Sequence, residues 1–167
     1  PFLGSGAVFF HLRSQGEDIA KFLHQKIPVV YSSDKNGALG YIWKISFNES
    51  SKIPAFHNTF PELNHNEMTS FDVIPSTRAL SDRLSFVFLT DSDDHEKTRK
   101  RMQIAKGLYE ERGFAVREVS LSSASLWEKI FTSIVLAYWT ALALSRHHGT
   151  TPDGVPLVEE FKKRMRD

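Results

Sequence analysis

The residues best suited to chemistry lie in the segment 61–67, whose sequence PELNHNE places an imidazole among amides and carboxylates. Such a cluster is poor material for a hydrophobic core, because each buried polar group needs a hydrogen-bond partner. It suits proton transfer on a small polar substrate, since a histidine titrates near neutral pH. A further carboxylate, Glu49, precedes the segment within the sequence FNES, so the two segments together make the chain an enzyme candidate.

Three carboxylates compete for the role of a general base beside His65: Glu49, Glu62 and Glu67. A glutamate at a helix end is usually a solvated surface residue. The short loop between Glu49 and the polar segment weakens that interpretation for Glu49 and favours it as the base. Glu67 could instead open a helix, because EMTS at 67–70 resembles a helix start. His65 stands between two asparagines, which could orient it as a proton donor and acceptor.

Metal binding is the sharper alternative for this region. Six side chains could supply hard ligands: His65, Glu67, Asp91, Asp93, Asp94 and His95. Their spacing matches no specific metal motif, so we predict neither a metal nor an organic cofactor. We interpret the acidic run at 91–94 as the solvated N-terminal end of a helix, where negative charge suits the helix dipole.

Length and composition indicate one globular domain of 167 residues, 41% of them hydrophobic. The net charge of +1 gives no reason to expect a nucleic-acid partner. The chain has no cysteine, which excludes disulfides and fits a reducing compartment. The longest apolar stretch, 130–144, is shorter than the roughly 20 residues of a bilayer helix. The apolar segment 1–10 lacks the basic leader and the small-residue cleavage site of a secretory signal. We therefore expect a cytoplasmic protein without a membrane partner, and the start without methionine suggests a fragment of a longer one.

Helical and strand patterns alternate along the chain. Helices are predicted at 14–25, 38–47, 93–112, 125–145 and 157–166, and strands at 29–31, 84–89 and 115–119. Capping boxes, SQGE at 14–17 and SLWE at 125–128, mark two helix starts. The segment 50–68 is rich in proline and asparagine and is predicted to be an ordered loop. The alternation predicts an α/β fold, a three-layer αβα sandwich around a mostly parallel sheet.

The predicted helix 125–145 is apolar nearly all round. Such a helix is buried on every side, so it is either central to the domain or covered by a partner subunit. His147 and His148 follow it, where positive charge is compatible with the dipole of a helix C-terminus.

Several segments carry a resemblance to a known family. The most specific are WK leading to FNE at 43–49, and FPELNHNE at 60–67; IPVVY at 27–31, LTDSDDH at 89–95 and VPL at 155–157 support them. Together they resemble the C-terminal sugar isomerase (SIS) domain of the bacterial and archaeal bifunctional phosphoglucose/phosphomannose isomerases. The resemblance implies one SIS-type domain over 1–167, forming the C-terminal half of a two-SIS-domain enzyme.

The activity that the resemblance implies is interconversion of glucose 6-phosphate, and of mannose 6-phosphate, with fructose 6-phosphate through an enediolate. Glu49 would carry a proton between C2 and C1. His65 would assist ring opening on a substrate held mainly by the neighbouring subunit, and Lys162 would contact the sugar near its ring oxygen. These roles imply a homodimer, no cofactor, and an N-terminal SIS domain that holds the phosphate.

Two features depart from the family pattern. Ser50-Ser51-Lys52 follow Glu49 where the family usually has asparagine, alanine and lysine, and the threonine associated with mannose has no clear counterpart before Lys162. Two other functions stay open. A non-catalytic sugar-phosphate-binding regulatory module would not need Glu49 and His65, and a structural dimerisation domain would explain the apolar helix but not the polar segment.

Overall fold

Helices cover both faces of a four-stranded sheet in which all strands run parallel. The structure, a computed structural model, describes residues 5–72, 74–121 and 123–166. The strands are β1 (Ile27–Ser33), β2 (Phe56–Phe60), β3 (Leu84–Thr90) and β4 (Ala115–Ser120), in the order β2-β1-β3-β4. The α-helices are α1 (Ser5–Phe22), α2 (Gly37–Ser46), α3 (Arg78–Ser81), α4 (Glu96–Glu111), α5 (Leu126–His148) and α6 (Pro156–Arg164).

Alternation along the central strands divides the interior into two cores. On β3, Val87 and Leu89 face the layer formed by α1, α2 and α5, whereas Phe86 and Phe88 face α4. All four side chains are fully buried, because successive residues of a strand point to opposite faces and both faces are covered. The predicted three-layer αβα architecture with a parallel sheet is therefore confirmed.

The first helix begins earlier than predicted. α1 starts at Ser5, so Ser14 lies inside the helix and does not cap it. The additional turns pack on α5, where the ring of Phe9 meets Trp139 edge-on with centroids 5.3 Å apart. The contact with α5 thus stabilises helical turns that precede the start predicted from the capping box. The first four residues, which belong to the segment searched for a leader, lie outside the described part of the chain.

The segment predicted to be a loop, 50–68, contains an edge strand. β2 pairs with β1 in parallel, and two 3₁₀ turns follow it, Glu62–Asn64 and Glu67–Phe71. Only Phe60 among the β2 residues is fully buried. The strand pattern is weak because an edge strand with one buried side chain needs little apolar alternation.

The long helix α5 is apolar on both sides but covered on only one. One side packs on α1 and α2, while Trp127, Phe131 and Tyr138 on the other are 69, 61 and 54% exposed. The helix runs three residues further than predicted, so that His147 and His148 form its last turn. Among the described residues, no helix has the length and apolarity needed to cross a membrane.

We predict that Gly16→Ala destabilises the fold, whereas Gly107→Ala stabilises it. A Cβ at Gly16 would lie 2.8 Å from the Cβ of Trp139, so α1 would be pushed off α5 at about 1–3 kcal/mol. A Cβ at Gly107 in α4 meets nothing within 4 Å, so alanine should gain about 0.5–1 kcal/mol there. Urea denaturation of the wild type and the two variants measures their free energies of unfolding. An increase in this free energy for Gly16→Ala, as for Gly107→Ala, would contradict the close packing of α1 on α5.

Candidate active site

Glu49 lies on a short π-helical turn, Phe47–Ser51, that follows α2. Both ends of this turn are anchored, since Phe47 is fully buried in the core and the Ser51 hydroxyl donates to the Ala141 carbonyl at 2.8 Å. Lys52, in the left-handed conformation with a φ of 58°, then reverses the chain. The glutamate side chain is exposed between these anchors, and π-helical turns are frequent at functional sites.

The Glu49 turn forms one wall of a cavity of about 780 Å³. The opposite wall is the segment between α5 and α6, and the lining residues are Asn48, Glu49, Lys52, Ile53, Thr150, Thr151, Gly154, Val155, Pro156, Leu157 and Val158. The Lys52 ammonium donates to the Pro152 carbonyl at 2.9 Å and joins the two walls. The volume of the cavity lies within the range of small-molecule sites, roughly 300–1,000 Å³.

His65 and Glu49 lie at opposite edges of the sheet, His65 beyond the C-terminal ends of the strands and Glu49 beyond their N-terminal ends. α2 runs against the strand direction, because a Cβ at Gly37 would touch Thr59 near the end of β2. The turn that carries Glu49 therefore lies where β2 begins, whereas His65 follows the end of β2. Five strand residues separate the two edges by on the order of 15 Å. The structure does not bring these two side chains together within one chain.

Lys162 also lies outside the Glu49 cavity. It is exposed on α6 and donates to Glu159 at 2.8 Å. The first residues of α6 line the cavity, and Lys162 follows Val158 by about one helical turn. No residue of α6 is buried, so core packing does not fix the position of this helix.

Comparison with known proteins shows which family the chain belongs to. A family model described as the bacterial phospho-glucose isomerase C-terminal SIS domain matches residues 13–165. The chain belongs to this family. The fold resembles that of tagatose-6-phosphate ketose/aldose isomerase from Escherichia coli, with a TM-score of 0.62 and 18% identity over 89% of this chain and 45% of that one. At that identity the likeness concerns the fold alone.

Curated relatives cover most of this SIS domain. It is 28% identical over 155 residues to a bifunctional phosphoglucose/phosphomannose isomerase of Aquifex aeolicus, which aligns 93% of this chain with 47% of that protein. It is 31% identical over 151 residues to the protein of the same description from Thermoplasma acidophilum, aligning 89% of this chain with 46% of that protein. The chain thus spans about half the length of the curated relatives that it matches.

Glu67, which competed with Glu49 for the role of general base, makes structural contacts in the SIS domain. Glu67 accepts hydrogen bonds from the Tyr31 hydroxyl at 2.7 Å and from Asn58. Burial, reinforced by the Glu67 carboxylate, raises the pKa of Tyr31, so this phenol remains a donor. Glu67 also begins a 3₁₀ turn, in agreement with the predicted helix start. Its side chain ties the His65 loop to the sheet.

The acidic run after β3 is not the solvated helix end that we predicted. Asp91 and Asp94 are 2 and 5% exposed, and α4 begins only at Glu96. The buried ammonium of Lys129 from α5 lies 2.7 Å from Asp91, and Asn36 donates to both carboxylates. Sequence patterns missed this cluster because its members come from three distant parts of the chain.

The pKa values of the two buried carboxylates, Asp91 and Asp94, shift in opposite directions. Burial disfavours the charged form of Asp91, but hydrogen bonds from Lys129, the Asp93 backbone and Asn36 outweigh it and lower its pKa to about 2. Burial raises the pKa of Asp94, against the hydrogen bond from Ser33, and its Oδ2 has no partner. In open parallel sheets, ligands usually bind beyond the carboxyl ends of the strands, which is where this cluster lies. Here Asp91, which follows β3, is engaged in an internal ion pair with Lys129. The described residues contain no group of three or more His, Asp or Glu that could hold a metal ion.

We predict that Lys129→Met destabilises the fold far more than Lys35→Met at pH 7. Loss of Lys129 leaves Asp91 buried without its main counter-ion, at about 3–5 kcal/mol. Lys35 is half exposed and 3.6 Å from Asp91, so its loss should cost less than about 1 kcal/mol. Because the pKa of Asp91 is depressed to about 2, the ion pair is complete above the ordinary pKa of 3.8 and is lost as pH falls toward 2.

Denaturant midpoints from pH 7 to pH 2 measure this difference. The gap between the wild type and Lys129→Met should close over the acid range. A gap that stays constant below pH 4 would contradict the assigned ion pair.

Proposed function

We propose that this chain is the C-terminal SIS domain of an aldose–ketose isomerase that interconverts glucose 6-phosphate, and mannose 6-phosphate, with fructose 6-phosphate. Membership of the family and the names of the curated relatives support this reaction. The observation that carries it is the exposed Glu49 carboxylate, held on an anchored turn at the wall of a ligand-sized cavity. The lack of cysteine agrees with a cytoplasmic location, which is part of the proposal.

Glu49 acts as the base of this reaction. Its carboxylate removes the proton from C2 of the open-chain aldose, and the electron pair of that C–H bond forms the C1–C2 double bond of an enediolate. A proton passes from O2 to O1, the electron pair left on O2 forms the C2 carbonyl, and the electron pair of the C1–C2 double bond takes the proton back from the Glu49 carboxylic acid at C1, which yields the ketose. The chemistry requires a carboxylate positioned beside the carbon skeleton, and the anchors at Phe47 and Ser51 hold Glu49 in place.

His65 serves a substrate in the site of a second copy of the chain. Because Glu49 and His65 lie at opposite edges of the sheet, one copy cannot offer both groups to one sugar. His65 is exposed at the end of a 3₁₀ turn, where its backbone N–H donates to the Glu62 carbonyl at 2.9 Å. In a homodimer this loop can enter the partner's Glu49 cavity, where a neutral imidazole both donates to and accepts from the sugar oxygens.

Lys162 completes the site by a movement of α6. The helix has no buried residue, so closure over the cavity sacrifices no core packing. The exposed pair with Glu159 is weak and yields readily to a sugar hydroxyl. The alternative, a regulatory SIS module, predicts sugar-phosphate binding without turnover.

We predict that Glu49→Gln abolishes isomerisation in the full-length protein while leaving substrate binding nearly intact. The amide keeps the volume of the side chain but cannot accept a proton from carbon, so the rate should fall about 10²–10⁴-fold. Glu62→Gln is the matched control, since the Glu62 side chain is exposed and accepts a hydrogen bond from Asn66 at 3.2 Å on the molecular surface. A coupled assay for fructose 6-phosphate measures both rates, and a Glu49→Gln enzyme with more than a tenth of the wild-type rate would assign the base elsewhere.

We predict that inactive Glu49→Gln and inactive His65→Ala proteins restore activity when their subunits are mixed. A hybrid dimer has one site in which both wild-type groups meet, so up to about a quarter of all sites recover after random exchange. The control mixes Glu49→Gln with a Glu49→Gln/His65→Ala protein, which has no complete site in any dimer. Background activity after demonstrated exchange would place both groups in the site of one subunit.

A further inference from the structure

The loop that carries His65 is held to the domain on both sides of the histidine. His65 itself is exposed, and it stands midway between Leu63 and Glu67 in the sequence. Leu63 is fully buried in the core on the α4 face of the sheet, so apolar packing holds the first half of the loop. Glu67 is polar and only partly buried, so its hydrogen bonds must hold the second half.

The Glu67 carboxylate bonds to two neighbouring strands at once. Oε1 accepts from the hydroxyl of Tyr31 on β1 at 2.7 Å, and Oε2 accepts from the side-chain amide of Asn58 on β2. Tyr31 and Asn58 are paired in the ladder between these strands, so the carboxylate spans the pair. Oδ1 of Asn58 accepts from the Thr59 backbone N–H at 2.8 Å, which turns the amide nitrogen toward Glu67. Two bonds from two strands fix both the position and the direction of the carboxylate.

The burial of Tyr31 makes this contact costly to lose. The residue is fully buried, and burial raises the pKa of its phenol, which therefore remains a donor. A buried donor that loses its acceptor bears the cost of desolvation without compensation. The Tyr31 ring also meets Phe60, the last residue of β2, edge-on with centroids 5.8 Å apart. Tyr31 thus contacts the chain before and after the His65 loop.

The asparagines that flank His65 shape the backbone of the loop. Oδ1 of Asn66 accepts from the Glu67 backbone N–H, and Nδ2 of Asn64 lies 3.5 Å from the sulfur of Met68. Neither of these contacts is with the imidazole. The orientation of His65 that the asparagines led us to expect therefore depends on the path of the loop, and that path depends on its anchors.

We propose that Glu67 is a positioning residue for His65, because its bonds to Tyr31 and Asn58 fix the loop that presents the imidazole to a sugar in the partner's site. This inference rests on the proposed function, in which His65 acts on the substrate. Glu67 needs no contact with the sugar in this role. It acts through His65 of its own chain, so its loss should resemble the loss of His65 and not that of Glu49.

Steady-state kinetics of full-length Glu67→Ala test the positioning role. The value of kcat should fall about ten- to hundredfold, because a small displacement of a catalytic group has a cost of that size. KM should stay within about twofold, since the substrate is held mainly by the other subunit. Glu67→Gln keeps an acceptor for Tyr31 and should lose less. Glu62→Ala, in the same loop, is the control with wild-type kinetics. An unchanged kcat in Glu67→Ala would overturn the proposal.

Subunit mixing separates positioning from a general failure to fold. Glu67→Ala mixed with Glu49→Gln should recover up to about a quarter of all sites, because one site of each hybrid combines an intact Glu49 with an intact His65 loop. Glu67→Ala mixed with His65→Ala should not exceed the activity of Glu67→Ala alone. A misfolded Glu67→Ala chain would recover with neither. The proposal is overturned if His65→Ala rescues it, or if Glu49→Gln fails to rescue it while rescuing His65→Ala.

Hydrogen exchange reports on the loop independently of isomerisation. The His65 backbone N–H donates to the Glu62 carbonyl at 2.9 Å, so its exchange rate measures the order of the loop. Glu67→Ala should accelerate exchange in 62–66 about tenfold or more, the size expected for a lost hydrogen bond to a charged group, and leave β3 unchanged. Glu62→Ala removes only an exposed hydrogen bond and should have a much smaller effect.

The exchange data also distinguish failure of this inference from failure of the proposed function. Unchanged exchange in the loop of Glu67→Ala, or equal acceleration in β3, would overturn the positioning role. Faster exchange confined to the loop supports the anchor even if Glu49→Gln and His65→Ala fail to recover together. That combination would contradict the site shared between subunits.

Discussion

The direction of the parallel strands is the constraint on which the arrangement of this molecule depends. A helix that connects two parallel neighbours must run back against them, so its end and the end of the next strand lie at opposite edges of the sheet. Glu49 follows α2, and His65 follows β2, the next strand. Their separation is therefore a property of the topology and not of loop conformation. The proposed chemistry follows from it, since two separated groups can meet only between copies of the chain.

Charged side chains are paired and buried at one edge of the sheet and exposed at the other. At the carboxyl edge, Asp91 and Lys129 form an ion pair with almost no exposure to solvent. Each charge would be costly to bury alone, so the pair and the amide of Asn36 depend on one another. The Glu49 edge has no comparable pair among its cavity-lining residues, and its carboxylate stays exposed. The buried charges thus stabilise the fold, whereas the exposed Glu49 carboxylate is available for the proposed chemistry.

Unpartnered apolar surface points to contacts beyond the chain. Trp127 and Phe131 stack on each other on the outer side of α5, with centroids 6.3 Å apart. Leu157 and Phe161 on α6 are likewise exposed. Exposed apolar patches of this kind usually mark interaction sites. Relatives about twice as long as the chain, and the proposed dimer, both offer surfaces that could cover them.

The sequence by itself determined the layered α/β fold, because the apolar run of β3 and the alternation of helices with strands are local patterns. It also pointed to Glu49 and His65 through the motif segments that resemble the family. Only the tertiary structure decided that β2 exists, since its residues have one buried side chain and pair with β1 across a long separation. It likewise decided that Asp91 is buried, because the compensating charge of Lys129 comes from a distant helix. Local patterns record helical and strand periods, whereas pairing and desolvation depend on partners that only the folded chain brings together.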